Sequence, residues 1–351
     1  MTYLGTLCLV LLTTAFAGSI SRRVGMPAVI GQLLVGIVLG PAMLGWVTSN
    51  NFVHIFSEIG VVILMFMAGL ESDLDLLKKY LKPATSVALF GVIAPIILVY
   101  LLGRIYNFTN EEAIFLGVTF AATSVSISVE VLKELKKLDT KEGTTILGAA
   151  VIDDILAVLI LSVLVSIFSD VAQAEGGHTQ SNLGVGILIQ VIYFIGIYLV
   201  FRWIAPLLMK ISEKLPISSS EILMSLVICL GMAFFADLVG LSAVVGSFFA
   251  GVAVAQTPYK QEIDSSIEPI GYAVFIPMFF VSIGLNMTFK GLLTNWLFIV
   301  ILLVLALLTK WGGCGLGAKM LGMSWHSGDI IGAPFPPRSR SRQGEESSAH
   351  S

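Results

Sequence analysis

Long apolar runs, separated by short breaks that are polar or contain Pro and Gly, dominate the hydropathy pattern of the chain. A run of about 20 apolar residues is long enough to cross the hydrocarbon core of a bilayer as an α-helix. The pattern therefore predicts an all-α polytopic membrane protein. It predicts eleven spanning helices, at residues 3–21, 27–46, 53–70, 84–104, 112–132, 143–169, 183–209, 219–238, 240–256, 265–285 and 295–317.

The composition supports a membrane protein. Of the 351 residues, 56% are hydrophobic and only 12% are charged, a balance that excludes a soluble domain of this length. We interpret the first run as a retained helix rather than a signal peptide, because Arg22 and Arg23 follow it and no basic residue precedes it. The three cysteines show no paired spacing and the four histidines no zinc pattern. We therefore predict no cofactor, no nucleic-acid partner and no enzymatic activity.

Basic residues are unevenly distributed between the loops on the two sides of the predicted bundle. If the N-terminus lies outside, the outer loops hold only Arg104 and Lys290. Because cytoplasmic loops carry the excess of Lys and Arg, we expect the N-terminus on the outer side of the cytoplasmic membrane. The inner loops then hold thirteen basic residues: Arg22, Arg23, Lys78, Lys79, Lys82, Lys133, Lys136, Lys137, Lys141, Arg202, Lys210, Lys214 and Lys260.

Two adjacent carboxylates, Asp153 and Asp154, lie near the middle of the predicted span 143–169. A carboxylate at the centre of a spanning helix costs roughly 2.5–3.5 kcal/mol on insertion scales. Such residues are used in function or are neutralised by a partner. Neighbouring helical positions point about 100° apart, so one carboxylate can face a wet cavity while the other faces a protein partner.

Two further spans carry polar groups that complete a candidate ion site. The span 112–132 contains a run of Thr and Ser residues at positions 119–128, and their hydroxyls allow a local break of the helix or an ordinary helix contact. Lys310 lies deep inside the last predicted span and is expected to pair with one of the two aspartates. Glu130 and Asp237 lie near predicted helix ends, and we interpret them as boundary charges.

An internal repeat is visible at a constant offset of 215 residues. Seven predicted spans separate each element from its copy, and because seven is odd, the copies run in opposite directions. Inverted repeats of this kind are typical of secondary transporters. Gly25, Ala28, Val29, Gly31, Gly36 and Gly69-Leu70 recur at Gly240, Ala243, Val244, Gly246, Gly251 and Gly284-Leu285.

With these features, the chain resembles the monovalent cation:proton antiporter-2 family, the Na+/H+ and K+/H+ exchangers. The resemblance extends from residue 1 to about residue 328. The pieces that carry it are the stretch from Pro27 to Pro41, Phe66-Met-Ala-Gly-Leu70, Ala122-Thr-Ser124, Val151-Ile-Asp-Asp154, Phe279-Phe-Val-Ser-Ile-Gly284 and Lys310.

The resemblance implies a fold of 13 helices, of which about eleven are present here, assembled as a homodimer. It implies dimerisation helices at 1–82 and 219–290, a linking helix at 183–209, and core-domain helices at 83–169 and 291–328. It also implies that Asp154 binds Na+ or H+ in turn, that Asp153 pairs with Lys310, and that Thr123 and Ser124 line the ion site. Na+ would then be held at Asp154 and Asp153.

The predicted function is exchange of Na+, or of Li+, for H+ by alternating access. Keeping both acids favours Na+ and electrogenic exchange. One alternative is a K+/H+ antiporter of the same fold. A second, from another class, is a cation channel or membrane sensor, whose ion flux would not depend on a counter-gradient of protons.

The end of the chain departs from the family pattern. Only three of the five helices expected in the second repeat fit, and from Asp329 onward the sequence is polar and interrupted by prolines. The segment 329–351 therefore resembles a frameshifted or truncated end. We expect residues 333–351 to be disordered, and exchange by this polypeptide to be weak or absent.

Overall fold

The computed structural model describes residues 3–172, 183–216, 219–289 and 295–332. Every regular element in these residues is helical. π-Helical turns at Val200–Ile204 and Gly271–Phe275 join α8 to α9 and α12 to α13. The helices are α1 (Tyr3–Arg23), α2 (Ala28–Leu39), α3 (Asn51–Glu71), α4 (Leu74–Ile105), α5 (Asn110–Ala121), α6 (Val125–Glu134), α7 (Lys141–Ala172), α8 (Leu183–Leu199), α9 (Ala205–Ser212), α10 (Ser220–Leu238), α11 (Ala243–Val254), α12 (Lys260–Ile270), α13 (Ile276–Leu285), α14 (Trp296–Met320) and α15 (Trp325–Gly332).

Eight helical stretches in the described residues are long and apolar enough to cross a membrane, and α2 and α11 are shorter apolar helices. The predicted all-α membrane fold is confirmed, while the number of eleven spans stays a prediction. Helix α2 ends at Leu39, before the predicted 46, because Gly40 is extended and the following proline disfavours helix. Helix α4 begins at Leu74, before the predicted 84, because the Asp73 side chain caps its first turn.

The two repeats pack against each other through matching glycines. A Cβ atom added to Gly36 on α2 would lie 2.8 Å from Gly284 Cα, and one added to Gly251 on α11 would lie 2.9 Å from Gly69 Cα. The two contacts are copies of each other, because Gly36 matches Gly251 and Gly284 matches Gly69 at the offset of 215 residues. Small residues allow this close backbone approach. The contacts therefore obey an internal two-fold symmetry.

The same offset relates the preceding helices. Gly31 on α2 lies against the backbone of Ala17 on α1, and Gly246 on α11 lies against the backbone of Met232 on α10. The turns before α2 and α11 both contain a glycine with positive φ, at +81° and +76°, which only glycine adopts without strain. Helices α1 and α10 therefore belong to the repeat as well.

Helix α3 and its copy, the segment α12–α13, run in opposite directions. The Ser57 and Ser282 hydroxyls are 2.6 Å apart. Six residues later on α3, Ile63 contacts Gly271, which lies eleven residues earlier in the chain than Ser282. The two segments therefore run antiparallel. Antiparallel copies are what an inverted repeat requires, and the predicted inverted-topology repeat is confirmed.

Helices α4, α7, α14 and α15 share an apolar core, which includes Ala88, Ala149 and Ala318. On α14, Gly313 and Gly317 lie directly against the backbone of α4, which brings Lys310 close to that helix. Helix α15 continues to Gly332 and buries Ile331 in this core, so the first four residues of the predicted tail at 329–351 are helical. Residues 333–351 lie outside the described residues.

Candidate functional site

The run of Ser and Thr residues interrupts its helix, as predicted for a local break. Helix α5 ends at Ala121, Ala122 and Ser124 adopt extended backbone angles, and α6 starts at Val125. The Ser124 hydroxyl accepts a hydrogen bond from the Ile127 amide at 3.4 Å and so caps α6. The break therefore exposes backbone and hydroxyl oxygens in the middle of an apolar bundle.

Lys310 binds the end of α5. Its ammonium donates hydrogen bonds to the Ala121 carbonyl at 2.6 Å, the Gly91 carbonyl at 3.0 Å and Asp153 Oδ2 at 3.0 Å. The last carbonyls of a helix lack partners within the helix and carry partial negative charge, so a cation is stabilised there. A side chain at position 91 would collide with Cys314. The glycine therefore lets α14, which carries Lys310, approach α4 closely.

Asp153 is nearly fully buried, at 5% exposure, and uses only one of its oxygens. Its Oδ2 atom accepts from Lys310 and, at 2.7 Å, from the Thr123 hydroxyl. Its Oδ1 atom is buried and has no hydrogen-bond partner within the described parts of the chain. A buried carboxylate oxygen without a partner is unfavourable, and it can serve as a ligand for a cation or a proton.

A cavity of about 290 Å³ opens beside this carboxylate. Most of its walls are apolar side chains of α4, α6, α7, α14 and α15. Oxygen-rich groups next to an apolar wall are the expected composition of a site for a small hard cation. The polar residues that line the cavity are Thr123, Ser124, Ser128, Asp153 and Lys310.

Asp154 lies differently from the expectation. We expected Asp154 to face the cavity and Asp153 to face Lys310, but Asp153 does both, and Asp154 is not among the cavity-lining residues. Asp154 is half-buried, and no hydrogen bond to its carboxylate is present within the described residues. Because it is the next residue on α7, its charge still lies beside that of Asp153.

The sequence reasoning missed several groups that complete this region. The carbonyls of Gly91 and Ala121 bind Lys310, and no side-chain pattern reveals backbone acceptors. Glu130 was interpreted as a boundary charge, but it is 5% exposed and its carboxylate accepts a hydrogen bond from the Tyr272 hydroxyl at 3.1 Å. Its place on one helical face with Lys133 and Glu134, three and four residues on, is the signal that could have identified it. Asp237 is exposed, as a boundary charge should be.

Comparison with known proteins connects this geometry to a family. The family described as sodium/hydrogen exchanger, transmembrane, matches residues 9–338. A Na(+)/H(+) antiporter of Enterococcus hirae is 54% identical over 335 residues, which cover 95% of this chain and 86% of the relative. The Na(+)/H(+)-K(+) antiporter GerN of Bacillus cereus is 44% identical over 332 residues, which cover 95% of this chain and 84% of the relative.

A solved structure shares the fold. The sodium proton antiporter MjNhaP1 from Methanocaldococcus jannaschii superposes with a TM-score of 0.64 at 16% identity, covering 96% of this chain and 83% of that protein. At this identity, the likeness concerns the fold alone, and it confirms the predicted antiporter fold. The family match and the two relatives confirm the predicted resemblance to cation:proton exchangers. The chain belongs to the sodium/hydrogen exchanger family.

Proposed function

We propose that the ion site of this chain serves the exchange of Na+ for H+ across the cytoplasmic membrane by alternating access, with Asp154 binding the cation or the proton in competition; the expectation that this polypeptide exchanges weakly stays a prediction. One observation carries the proposal: of two adjacent carboxylates, Asp153 is held by Lys310 and Thr123, whereas Asp154 has no hydrogen bond within the described residues. Two carboxylates beside one ammonium leave one negative charge. That charge suits one Na+ or one proton, but not both.

The residues of the break fit a hard monovalent cation as the substrate. Hard cations prefer oxygen ligands. The cavity offers such oxygens in the hydroxyls of Thr123 and Ser124 and in the Oδ1 of Asp153, which has no hydrogen-bond partner within the described residues. Asp154, the next residue on α7, would add its carboxylate from beside the cavity. Lys310 keeps its own charge compensated by Asp153 and two carbonyls, so the ammonium need not leave when the cation enters.

An exchange mechanism needs a carboxylate whose charge is unfavourable while no ion is bound, and the partial burial of Asp154 beside this cavity supports that role. In a cavity with apolar walls, an unneutralised carboxylate is unfavourable because burial penalises charge. An empty and charged Asp154 would resist crossing such surroundings, whereas a protonated or Na+-bound one would not. Opposite gradients of the two ions would then drive exchange, since the site moves only when loaded.

The architecture supports a division into two domains. Helices α4, α5, α7, α14 and α15 pack together and would form the core domain, whereas α1–α3 and α10–α13 carry the symmetric glycine contacts and would form the dimerisation domain. The core boundary expected at residue 83 falls inside α4, at Pro83 itself. We propose a homodimer with the N-terminus outside, so that the ends of α1, α6 and the start of α7 lie on the cytoplasmic side.

Exchange of K+ is a second candidate, and the name of the 44% identical relative, which includes K+, favours testing it. Dissipation of a pH gradient in inverted vesicles should be compared after addition of Na+, Li+ and K+ at equal concentration. A response to Na+ and Li+ supports the proposal, and a larger response to K+ supports the alternative. A cation flux that does not depend on a proton counter-gradient would indicate a channel instead.

The decisive experiment measures binding rather than turnover. Purified protein should bind radiolabelled Na+, and protons should compete, so that the apparent affinity falls as the pH falls. Asp154→Asn should abolish this binding while the protein remains folded and monodisperse. Asp237→Asn, which removes an exposed carboxylate on α10, is the matched control and should bind Na+ normally. Retained, proton-sensitive Na+ binding in Asp154→Asn would contradict the assignment.

A further inference from the structure

The far end of α6 carries a second set of polar contacts, separate from the ion site. Glu130, Lys133 and Glu134 lie on one face of α6, since they are three and four residues apart. Each reaches a different part of α1–α3 and α12–α13. We name these three side chains and their partners the α6 latch; the partners are Tyr272, Glu71, Arg22 and the Ala28 amide.

Glu134 caps a helix other than its own. Its two carboxylate oxygens accept hydrogen bonds from the Ala28 amide at 2.8 and 3.0 Å, and Oε1 also accepts from Arg22 Nε at 3.1 Å. Helix α2 has no side-chain cap of its own, because Pro27 stands at its N-cap position. A carboxylate at a helix N-terminus satisfies orphan amides and complements the helix dipole. The contact therefore joins α6 to the start of α2 in one defined position.

Lys133 and Glu130 extend this contact into the interior. The Lys133 ammonium lies 2.6 Å from Glu71 Oε1, with its side chain only 6% exposed, and 5.3 Å from the centre of the Tyr272 ring. The two groups form an ion pair. Glu130, nearly fully buried, accepts from Tyr272. Removing one partner would leave a buried charge unpaired, which is strongly unfavourable.

The two ends of α6 thus have different partners. At its start, the break residues Thr123 and Ser124 line the ion cavity beside α7 and α14. At its end, all three latch residues bind α1–α3 or the turn between α12 and α13. A hydrogen bond is lost once donor and acceptor separate beyond about 3.5 Å. A small shift of α6 against these helices would therefore break the three contacts together.

We propose that the α6 latch holds the ion-binding break in the conformation seen here, and that the latch opens and closes during transport. The inference rests on the proposed alternating-access exchange, because only a moving site requires a contact that forms and breaks. Glu130, Lys133 and Glu134 are then positioning residues: they act on the ion site through α6 and do not touch the ion.

Distance measurement between paired spin labels tests the latch without requiring turnover. The labels are placed at Lys137→Cys, beyond the end of α6, and at Met26→Cys, just before α2, after Cys8, Cys229 and Cys314 are replaced by alanine. The parent chain should show a dominant short distance and a minor longer one. Glu134→Ala should raise the ratio of long to short populations by about tenfold, since a charge-assisted hydrogen bond is lost.

Two further variants keep the test decisive. Glu134→Gln retains a carbonyl oxygen for the Ala28 amide but loses the charge, so it should shift the ratio in the same direction by a smaller factor, and it serves if Glu134→Ala fails to fold. Asp139→Asn removes an exposed carboxylate from the turn after α6 and should leave the ratio unchanged. An unchanged ratio in the Glu134 variants, or an equal shift in Asp139→Asn, would overturn the latch.

Equilibrium Na+ binding to the same labelled samples reports on the proposed function separately. Loss of Na+ binding in the labelled parent would contradict the exchange site, whatever the distances show. Intact Na+ binding with a single distance in every variant would contradict the latch alone.

Discussion

The glycine contacts between the two repeats and the polar break at α5–α6 use opposite kinds of interaction. In the repeat contacts, Gly36, Gly69, Gly251 and Gly284 bring backbones together with no room for a side chain. At the break, a few hydrogen bonds around Lys310 and Asp153 hold separate helices across a cavity. The first region tolerates almost no change of shape, whereas the second tolerates changes of shape but not of charge.

The largest effect is expected in the glycine contacts. A Cβ atom at Gly69 would collide with the Phe248 carbonyl and lie 2.9 Å from Gly251 Cα, both rigid backbone groups. Gly69→Ala should therefore prevent assembly of the native fold, or lower the free energy of unfolding by about 5 kcal/mol or more, because rigid backbone cannot yield to the added atom. Thermal unfolding in detergent measures the effect.

The symmetry of the repeats supplies the comparison for this experiment. Gly284→Ala, at the position that matches Gly69, should be similarly damaging. Gly231→Ala is the control, because no atom of another described element lies within 4 Å of an added Cβ and alanine favours helix. Equal stability of Gly69→Ala and Gly231→Ala would show that the close contact between repeats is not structurally required.

The ion pair at the break should give the next largest effect. Lys310→Ala leaves Asp153 buried without its counter-charge and should cost about 3–5 kcal/mol. Asp153→Asn in the same chain should restore part of that loss, because the unpaired charge is gone. A double-mutant cycle in thermal unfolding measures the coupling, and purely additive losses would show that the two side chains do not interact.

A smaller effect is expected for Thr123. Thr123→Val keeps the side-chain shape but removes the hydroxyl that donates to Asp153 at 2.7 Å. The free energy of unfolding should fall by about 1–3 kcal/mol, as for a lost hydrogen bond to a charged group. Thr119→Val is the control, because the hydroxyl that it removes donates to the Phe115 carbonyl of its own helix. An equal loss there would remove the case for a specific bond between Thr123 and Asp153.

The smallest effect on unfolding is expected for Asp154, where the effect on ion binding is largest. Because no hydrogen bond reaches its carboxylate within the described residues, Asp154→Asn should change the free energy of unfolding by no more than about 0.5 kcal/mol. The same preparation should lose Na+ binding. A large loss of stability would mean that Asp154 has a structural partner and is not a free exchange site.

Much of the fold was readable from the chain because it depends on local or periodic signals. The membrane environment requires long apolar helices, so their positions follow from hydropathy. The repeat follows from glycines at a constant offset, since only small residues permit such close packing. The acidic pair stood out because charge in an apolar span is rare. The clustered hydroxyls at positions 119–128 left a helix break and an ordinary helix contact both open, and the structure has the break.

The tertiary structure alone decided which partners these residues have. Lys310, Gly91, Ala121 and Asp153 come from four helices, and neither spacing nor composition encodes a contact with a backbone carbonyl. The cavity reaches Asp153 rather than Asp154, because the orientation of α7 depends on its packing against α4 and not on its own sequence. Glu130 looked like a boundary charge by position, but it became a buried one because Tyr272 of the opposite repeat lies against it. Helix positions follow from the free energy of transferring each segment from water to lipid, which is a property of that segment alone. Side-chain partners follow from how the segments pack against one another.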